Sequence, residues 1–452
     1  MGKAIKTLAA RALLAGLIAL SSALPAAAQA LIRDAEIERT LRRISDPIFR
    51  AAGLNPSSVN LYIIQNRELN AFVAGGQNIF IHTGLITKLE TMPELQAVIA
   101  HETGHIIGGH LNRKLDMMRG TATVTGLATI LAVAAAAATG SGDAAAAAMA
   151  GSQQVMQRNL LANNRAQEAA ADQASLRIMT AAGIDASAAL KVQDLFRGQE
   201  ILSMRRADPY AQTHPMSSDR IRYMENGVAN QPVMPPPDPD LVYWHKRMQA
   251  KFNGFLLHPN TALKRVPRGD TGEFATLTRA IAYHRLPDAA KSMAAIDALI
   301  DARPDDAYYH ELKGQFLLEN GKAAAAVTAY RRALDLAPDT PLIMAGLGRA
   351  LVALDTRAAD TEALGLLETA RRKDPGDTVA LHNLARAYAR TGQMGMASLV
   401  TAERYALMTR LRDAHLHATR AAAALPPGSP GARRAQDIIT MAERLNSEGR
   451  NR

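Results

Sequence analysis

The sequence predicts an α+β domain, mainly helical with a small sheet, followed by an all-α repeat solenoid. Three observations carry that expectation. Short β-branched stretches precede an apolar-periodic helix in the first quarter of the chain, and alanine-rich helical patterns recur with a period near 34 from about residue 272. The proline-rich stretch Gln231 to Asp240 separates the two regions. At 452 residues the chain has room for two or three cores of ordinary size.

Residues 1–30 stand outside the fold. Lys3, Lys6 and Arg11 make a positive leader, Leu13 to Leu20 an apolar core, and Ala28-Gln29-Ala30 an A-x-A cleavage signal. The apolar core is short for a membrane span, so a cleaved secretory signal and a periplasmic mature protein are expected, with an uncleaved anchor as the alternative. Cleavage removes three positive charges and lowers the net charge from +10 to +7. Basic residues are dispersed and aromatics are only 4%, which argues against nucleic-acid binding. With no cysteine, disulfides, thiolate metal sites and cysteine nucleophiles are all excluded.

Arg33 to Ala52 carries a helical apolar stripe through Ile37, Leu41, Ile44 and Phe49. Val59 to Ile64 reads as a strand. Ala71 to Ala74 and Gln77 to His82 read as two more around a Gly75-Gly76 turn. A short helix opens at Thr83-Gly84. Thr91 and Glu94 then form a capping-box pattern, with Pro93 in the first turn, and a second helix runs into His101-Glu102-Thr103-Gly104-His105. In a helix, positions four apart share a face, so the His101 and His105 imidazoles can share one metal ion. Glu102 sits one step round, placed to hold a metal-bound water without being a ligand. Phe80 to His82 is the stretch expected to hold a substrate backbone by strand addition.

Residues 120–150 are rich in alanine and glycine and carry a single charge, Asp143. A helical hairpin with its tip at Thr139 to Gly142, packed on the protein or lying over the site, is the expected form; contact with a membrane surface is the alternative. Beyond it, Glu168 and Asp172 are four apart on a helical pattern. One carboxylate can ligate the metal while the other accepts the N–H of a ligating histidine and fixes its tautomer. An isolated pair of this kind would be a solvated acidic face. His214 precedes a proline and is expected on an extended loop, able to swing into or out of a site.

The expected organisation is therefore a signal segment (1–30), a catalytic domain (31–230) that includes the 120–150 hairpin, a linker with one connecting helix (231–270), and a repeat domain (271–448). In the repeats, Gly314, Leu317, Ala326, Tyr330, Ala333 and Pro338 fall at tetratricopeptide offsets, as do Gly348, Leu351, Ala363, Leu367, Ala370 and Pro375. Stacked pairs of this kind bury a face that no single pair could bury and leave a concave surface for protein partners.

With HETGH, NNRAQEAAAD and THPMSSDRI in this order, the chain resembles the HExxH metallopeptidases that include the HtpX membrane protease and the CaaX prenyl-protein proteases. The signal segment and the repeats narrow the resemblance to the periplasmic BepA-like members. It implies a gluzincin-type zinc metalloendopeptidase with one Zn2+ per chain, ligated by His101, His105 and Glu168, and with Glu102 as general base. Asp172 would support a ligating histidine, most plausibly His101, and Arg165 falls where the family has an arginine before the ligand glutamate. His214 would be an autoinhibitory fourth ligand or an oxyanion stabiliser. The implied partners are misfolded or stalled envelope proteins as substrates and the outer-membrane assembly machinery at the repeats, with a chaperone-like role. A non-catalytic assembly scaffold is the rival reading, and Glu102, which a purely structural site does not need, speaks against it.

Overall fold

The computed structural model describes residues 31–110, 164–197, 214, 215 and 217–450; the expected signal segment 1–30 and the expected 120–150 hairpin lie outside the described residues. Strand β1 (Leu31–Ile32) leads into helix α1 (Ala35–Ala51), capped by the Asp34 side chain accepting from the Ile37 N–H. That helix buries Ile37, Leu41, Ile44, Ile48 and Phe49, the stripe legible in the sequence.

Strands β2 (Asn60–Ile64), β3 (Ala71–Ala74) and β4 (Asn78–His82) complete a four-stranded sheet in the order β1-β2-β4-β3. β3 and β4 form an antiparallel hairpin whose turn uses Gly75 and Gly76 at φ 60° and 99°, a region that favours glycine. β4 also pairs in parallel with β2, from Asn60 opposite Asn78 to Ile64 opposite His82. This corrects one expectation. Phe80 to His82 lies in an interior strand whose backbone is paired on both sides, so it has no free edge to offer. The edge strand beside it is β3, and the two-residue β1 is the other edge.

Helix α2 (Thr83–Lys88) and helix α3 (Met92–Ile107) follow. Glu94 closes the start of α3 by accepting from the backbone N–H groups of Glu90 and Thr91. α3 is buried almost all round from Met92 to Gly104, because α1, the sheet and the next helix enclose it. Helix α4 covers residues 164–181, α5 Ser187–Asp194, α6 Ser218–Ala229 and α7 Pro239–Leu256. Met248 and Phe252 of α7 enter the same core as α1 and α3, so the expected connecting helix packs as an integral element.

After α8 (Pro259–Arg265) come ten helices in five pairs: α9 (Glu273–Arg285) with α10 (Ala289–Ala302), α11 (Ala307–Glu319) with α12 (Ala323–Leu336), α13 (Pro341–Ala353) with α14 (Arg357–Lys373), α15 (Thr378–Arg390) with α16 (Met394–Leu407), and α17 (Leu411–Ala424) with α18 (Pro430–Arg450). The small-against-large pattern in the sequence is the contact between paired helices. A Cβ at Gly314 would sit 2.7 Å from the Tyr330 ring, and one at Gly348 2.5 Å from Leu367. No helix of the described residues is long and apolar enough to cross a membrane.

Candidate metal centre

His101 and His105 project from one face of α3, as the four-residue spacing requires, and Glu168 reaches them from α4. The approach is close because position 104 is glycine. A Cβ there would lie 2.8 Å from the Ala171 carbonyl oxygen. Helix α4 therefore packs its alanine-rich face directly on the backbone of α3.

His101 Nε2 lies 3.2 Å from His105 Nε2, 3.3 Å from His214 Nδ1 and 3.3 Å from Glu168 Oε2. His105 Nε2 is 3.4 Å from Glu168 Oε1, and His214 Nδ1 is 3.0 Å from Glu168 Oε2. All four donors lie within 4.8 Å of one another. A tetrahedral ion with bonds of 2.0–2.1 Å has donor–donor edges of about 3.3 Å. Three nitrogens and one carboxylate at these spacings fit a divalent ion of the zinc type, and with no cysteine in the chain the donor set is nitrogen and oxygen only.

The surrounding groups orient these donors. His101 Nδ1 meets Asp172 Oδ1 at 3.1 Å. Burial disfavours charge on His101, but the hydrogen bonds to Asp172 and Glu168 outweigh it and push its pKa up to about 10. His105 goes the other way, down to about 2, through burial and the neighbouring charge of His101. Burial opposes ionisation of Glu168, yet His214 and His101 hold its carboxyl well below the usual carboxylate range. Glu102, fully buried and adjacent to His214 Nε2 at 3.4 Å, is pushed up by burial. Neither of its carboxylate oxygens has a hydrogen-bond partner among the described residues. Such a carboxylate is placed to take up a proton.

Two residues escaped the sequence reading. Arg220, on α6, grips Asp172 with Nε at 2.6 Å and Nη2 at 2.9 Å, reaches Glu168 Oε2 at 3.2 Å, and donates to the Pro215 carbonyl at 2.8 Å. One guanidinium thus ties both carboxylates to the His214 loop. The arginine at the carboxylates is Arg220 and not Arg165, which is exposed. His110 is the second. Its Nδ1 lies 2.8 Å from His105 Nδ1, in space that a side chain at Gly108 would fill. Its position just after HETGH was the available signal for it. His214 itself lies buried in the cluster, with Nε2 3.4 Å from the Ala71 carbonyl of edge strand β3.

The sequence between β1 and α6 carries this whole arrangement, and residues 32–227 match the profile of Peptidase family M48. This stretch is similar to M48 peptidase domains. Residues 307–340, which form the pair α11–α12, match a tetratricopeptide repeat. The chain is 24% identical over 429 residues to the beta-barrel assembly-enhancing protease of Yersinia pestis, covering 93% of this chain and 86% of that one. It is 23% identical to the protein of that name from Escherichia coli (strain K12), covering 85% and 78%. A putative beta-barrel assembly-enhancing protease of Vibrio cholerae is 25% identical over 62% of this chain, which spans 58% of that protein's length. The M48 domain is thus the metallopeptidase unit of a chain that continues into tetratricopeptide helices, and its buried His and Glu donors form a site for a divalent metal.

Proposed function

We propose that the protein is a periplasmic zinc-dependent metalloendopeptidase, binding one Zn2+ per chain. It would hydrolyse peptide bonds in misfolded or stalled envelope proteins and assist outer-membrane protein assembly; the names of its relatives, proteases that enhance beta-barrel assembly, support the assembly role. The tetratricopeptide helices would present substrates or assembly partners. The observation that carries this reading is the buried Glu102 carboxylate, which accepts no hydrogen bond among the described residues, beside four donor groups within 4.8 Å of one another.

His101, His105 and Glu168 would hold the ion from three sides, with Asp172 fixing the His101 ring and His110 the His105 ring. A bound zinc ion supplies the Lewis acidity that activates water and polarises a scissile carbonyl. Glu102 would take the proton of the attacking water and return it to the leaving amine. Edge strand β3 would align an extended substrate backbone beside Ala71. His214 would occupy the fourth position and keep the resting enzyme closed until a substrate displaces its loop. The residue organisation supports an enzyme over a scaffold, because a purely structural metal site needs no buried base.

The test is metal analysis and casein cleavage by the parent protein and by Glu102→Gln. One zinc per chain in both, with turnover lost in the variant by about a hundredfold or more, supports the peptidase. Equal turnover rejects it.

A further inference from the structure

The sheet has two unlike faces. Ile63, Ile79, Ile81 and Ala71 point into the core and are buried, while Tyr62, Phe80 and Phe72 alternate onto the opposite face, half-buried and outside the core cluster. Register sets these three rings in one row across β2, β4 and β3. Tyr62 stacks on Phe80 with centroids 5.1 Å apart and planes 20° apart, and Phe80 stacks on Phe72 at 5.2 Å and 17°. The buried His82 ring meets Phe72 edge-on at 6.0 Å, so Phe72 is held from two directions. At Phe72 the row reaches the edge of the sheet.

Backbone pairing fixes what an added chain would meet there. The His82 N–H donates to the Asn70 carbonyl at 2.9 Å, so Asn70 and His82 are a hydrogen-bonded pair. Such pairs alternate along an antiparallel ladder. Phe72 and Phe80 are therefore the next hydrogen-bonded pair, and the N–H and C=O groups of Ala71 and Val73 turn outward to the edge. The Ala71 carbonyl accordingly lies 3.4 Å from His214 Nε2 in the metal centre. An extended chain that pairs with Ala71 and Val73 runs alongside the metal donors. If it runs antiparallel, its residue opposite Phe72 makes the closer, non-hydrogen-bonded kind of pair, with Cα atoms about 4.5 Å apart. That residue projects its side chain onto the aromatic face, in line with Tyr62, Phe80 and Phe72.

We propose that Phe72, backed by Phe80 and Tyr62, is a specificity-determining residue that selects substrates with an aromatic or large aliphatic side chain at one fixed position close to the scissile bond. The proposal rests on the peptidase reading above and on strand addition at β3. The selected side chain becomes the fourth member of the row and covers the outer side of the Phe72 ring. The other strand residues that share this face, Asn60, Ile64, Asn70, Ala74 and Asn78, carry no carboxylate, ammonium or guanidinium. Glu68, in the loop before β3, is engaged by Asn66 at 2.9 Å and by His82 at 4.0 Å. A charged side chain opposite Phe72 gives up hydration without gaining a counter-charge from the sheet. A small one leaves the ring uncovered.

The test maps the casein bonds cut by the zinc-loaded mature protein and then compares two peptides of one cut sequence. The aligned cleavage sites show one position enriched in Phe, Tyr, Trp, Leu and Met. A peptide with phenylalanine there exceeds its alanine counterpart in kcat/KM by about tenfold or more in the parent, and the ratio falls to within about twofold of unity in Phe72→Ala. A partly unfolded variant loses both rates alike and leaves the ratio untouched. If Phe72→Ala does not fold, Phe72→Leu is read by the ratio of a phenylalanine to a leucine peptide, which falls. Cleavage sites with no enriched position, or a ratio unchanged in the variant, overturn the proposal and leave the peptidase reading standing. So does a variant that cuts both peptides faster by the same factor, because the row then receives a segment of the protein's own chain. A parent that cuts nothing overturns the peptidase reading and this proposal with it.

Discussion

Gly104 and Ala171 touch backbone to backbone: a methyl group on Gly104 would meet the Ala171 carbonyl oxygen at 2.8 Å and the Ala171 Cα at 3.1 Å. This contact sets the distance between the two helices that carry the candidate ligands. Glycine inside a helix costs about 1 kcal/mol relative to alanine. Gly104→Ala recovers that propensity and forces α4 outward, moving Glu168 away from His101 and His105. The expected net result is a loss of about 1–3 kcal/mol together with weaker metal retention, read by thermal unfolding of metal-free protein and by metal content after dialysis. A variant more stable than the parent, with full metal content, would contradict it.

Arg220 is the only guanidinium among the described residues that contacts both Asp172 and Glu168. Replacing it leaves two buried carboxylates short of a cation and frees the Pro215 carbonyl. Arg220→Lys keeps the charge but loses the two-pronged grip. We expect about ten- to a hundredfold weaker metal affinity for Arg220→Lys, and a loss of about 3–5 kcal/mol in stability for Arg220→Met. Competition with a chromogenic chelator and denaturant unfolding measure the two.

His214 lies among the donors in the resting arrangement, with its Nε2 3.4 Å from Glu102 Oε1. If its loop closes the site, His214→Ala retains the metal on His101, His105 and Glu168 and degrades casein several-fold faster than the parent. If His214 instead stabilises the oxyanion, turnover falls. No gain in turnover would remove the autoinhibitory role.

Asp306 is held by the buried Arg247 guanidinium. Burial works against its ionisation, but Arg247 outweighs burial and holds the carboxyl below its ordinary 3.8. A depressed carboxyl contributes stability above the unfolded-state pKa and loses it as pH falls through the folded value. Asp306 also caps α11, accepting from the Tyr308 and Tyr309 N–H groups, and asparagine caps equally well. Asp306→Asn should therefore cost about 2 kcal/mol at neutral pH with the helix start intact. The difference from the parent should shrink as pH is lowered below 4. Urea unfolding at pH 7 and pH 3 checks both statements.

Sequence reading alone settled what depends on neighbours along the chain. The spacing of His101 and His105, the Thr91–Glu94 start of their helix, the apolar stripe of α1, the Gly75-Gly76 hairpin and the Gly314 and Gly348 notches of the repeats all follow from helix and strand periodicity or from glycine's freedom, and each stood where expected. The pairing of Glu168 with Asp172 was legible for the same reason, as a four-residue step on one face. What only the tertiary structure decided depends on packing between distant segments. Strand order placed β4 inside the sheet and β3 at its edge, because β2 pairs in parallel with the second strand of the hairpin and not with the first, and no local pattern encodes that choice. The arginine at the carboxylates is Arg220, reached across 48 residues, and not Arg165, which lies exposed in the first turn of α4. The buried pairs of Arg247 with Glu36 and Asp306, and of Lys251 with Asp34, exist only because α1, α7 and α11 meet, and such pairing is a property of the assembled fold.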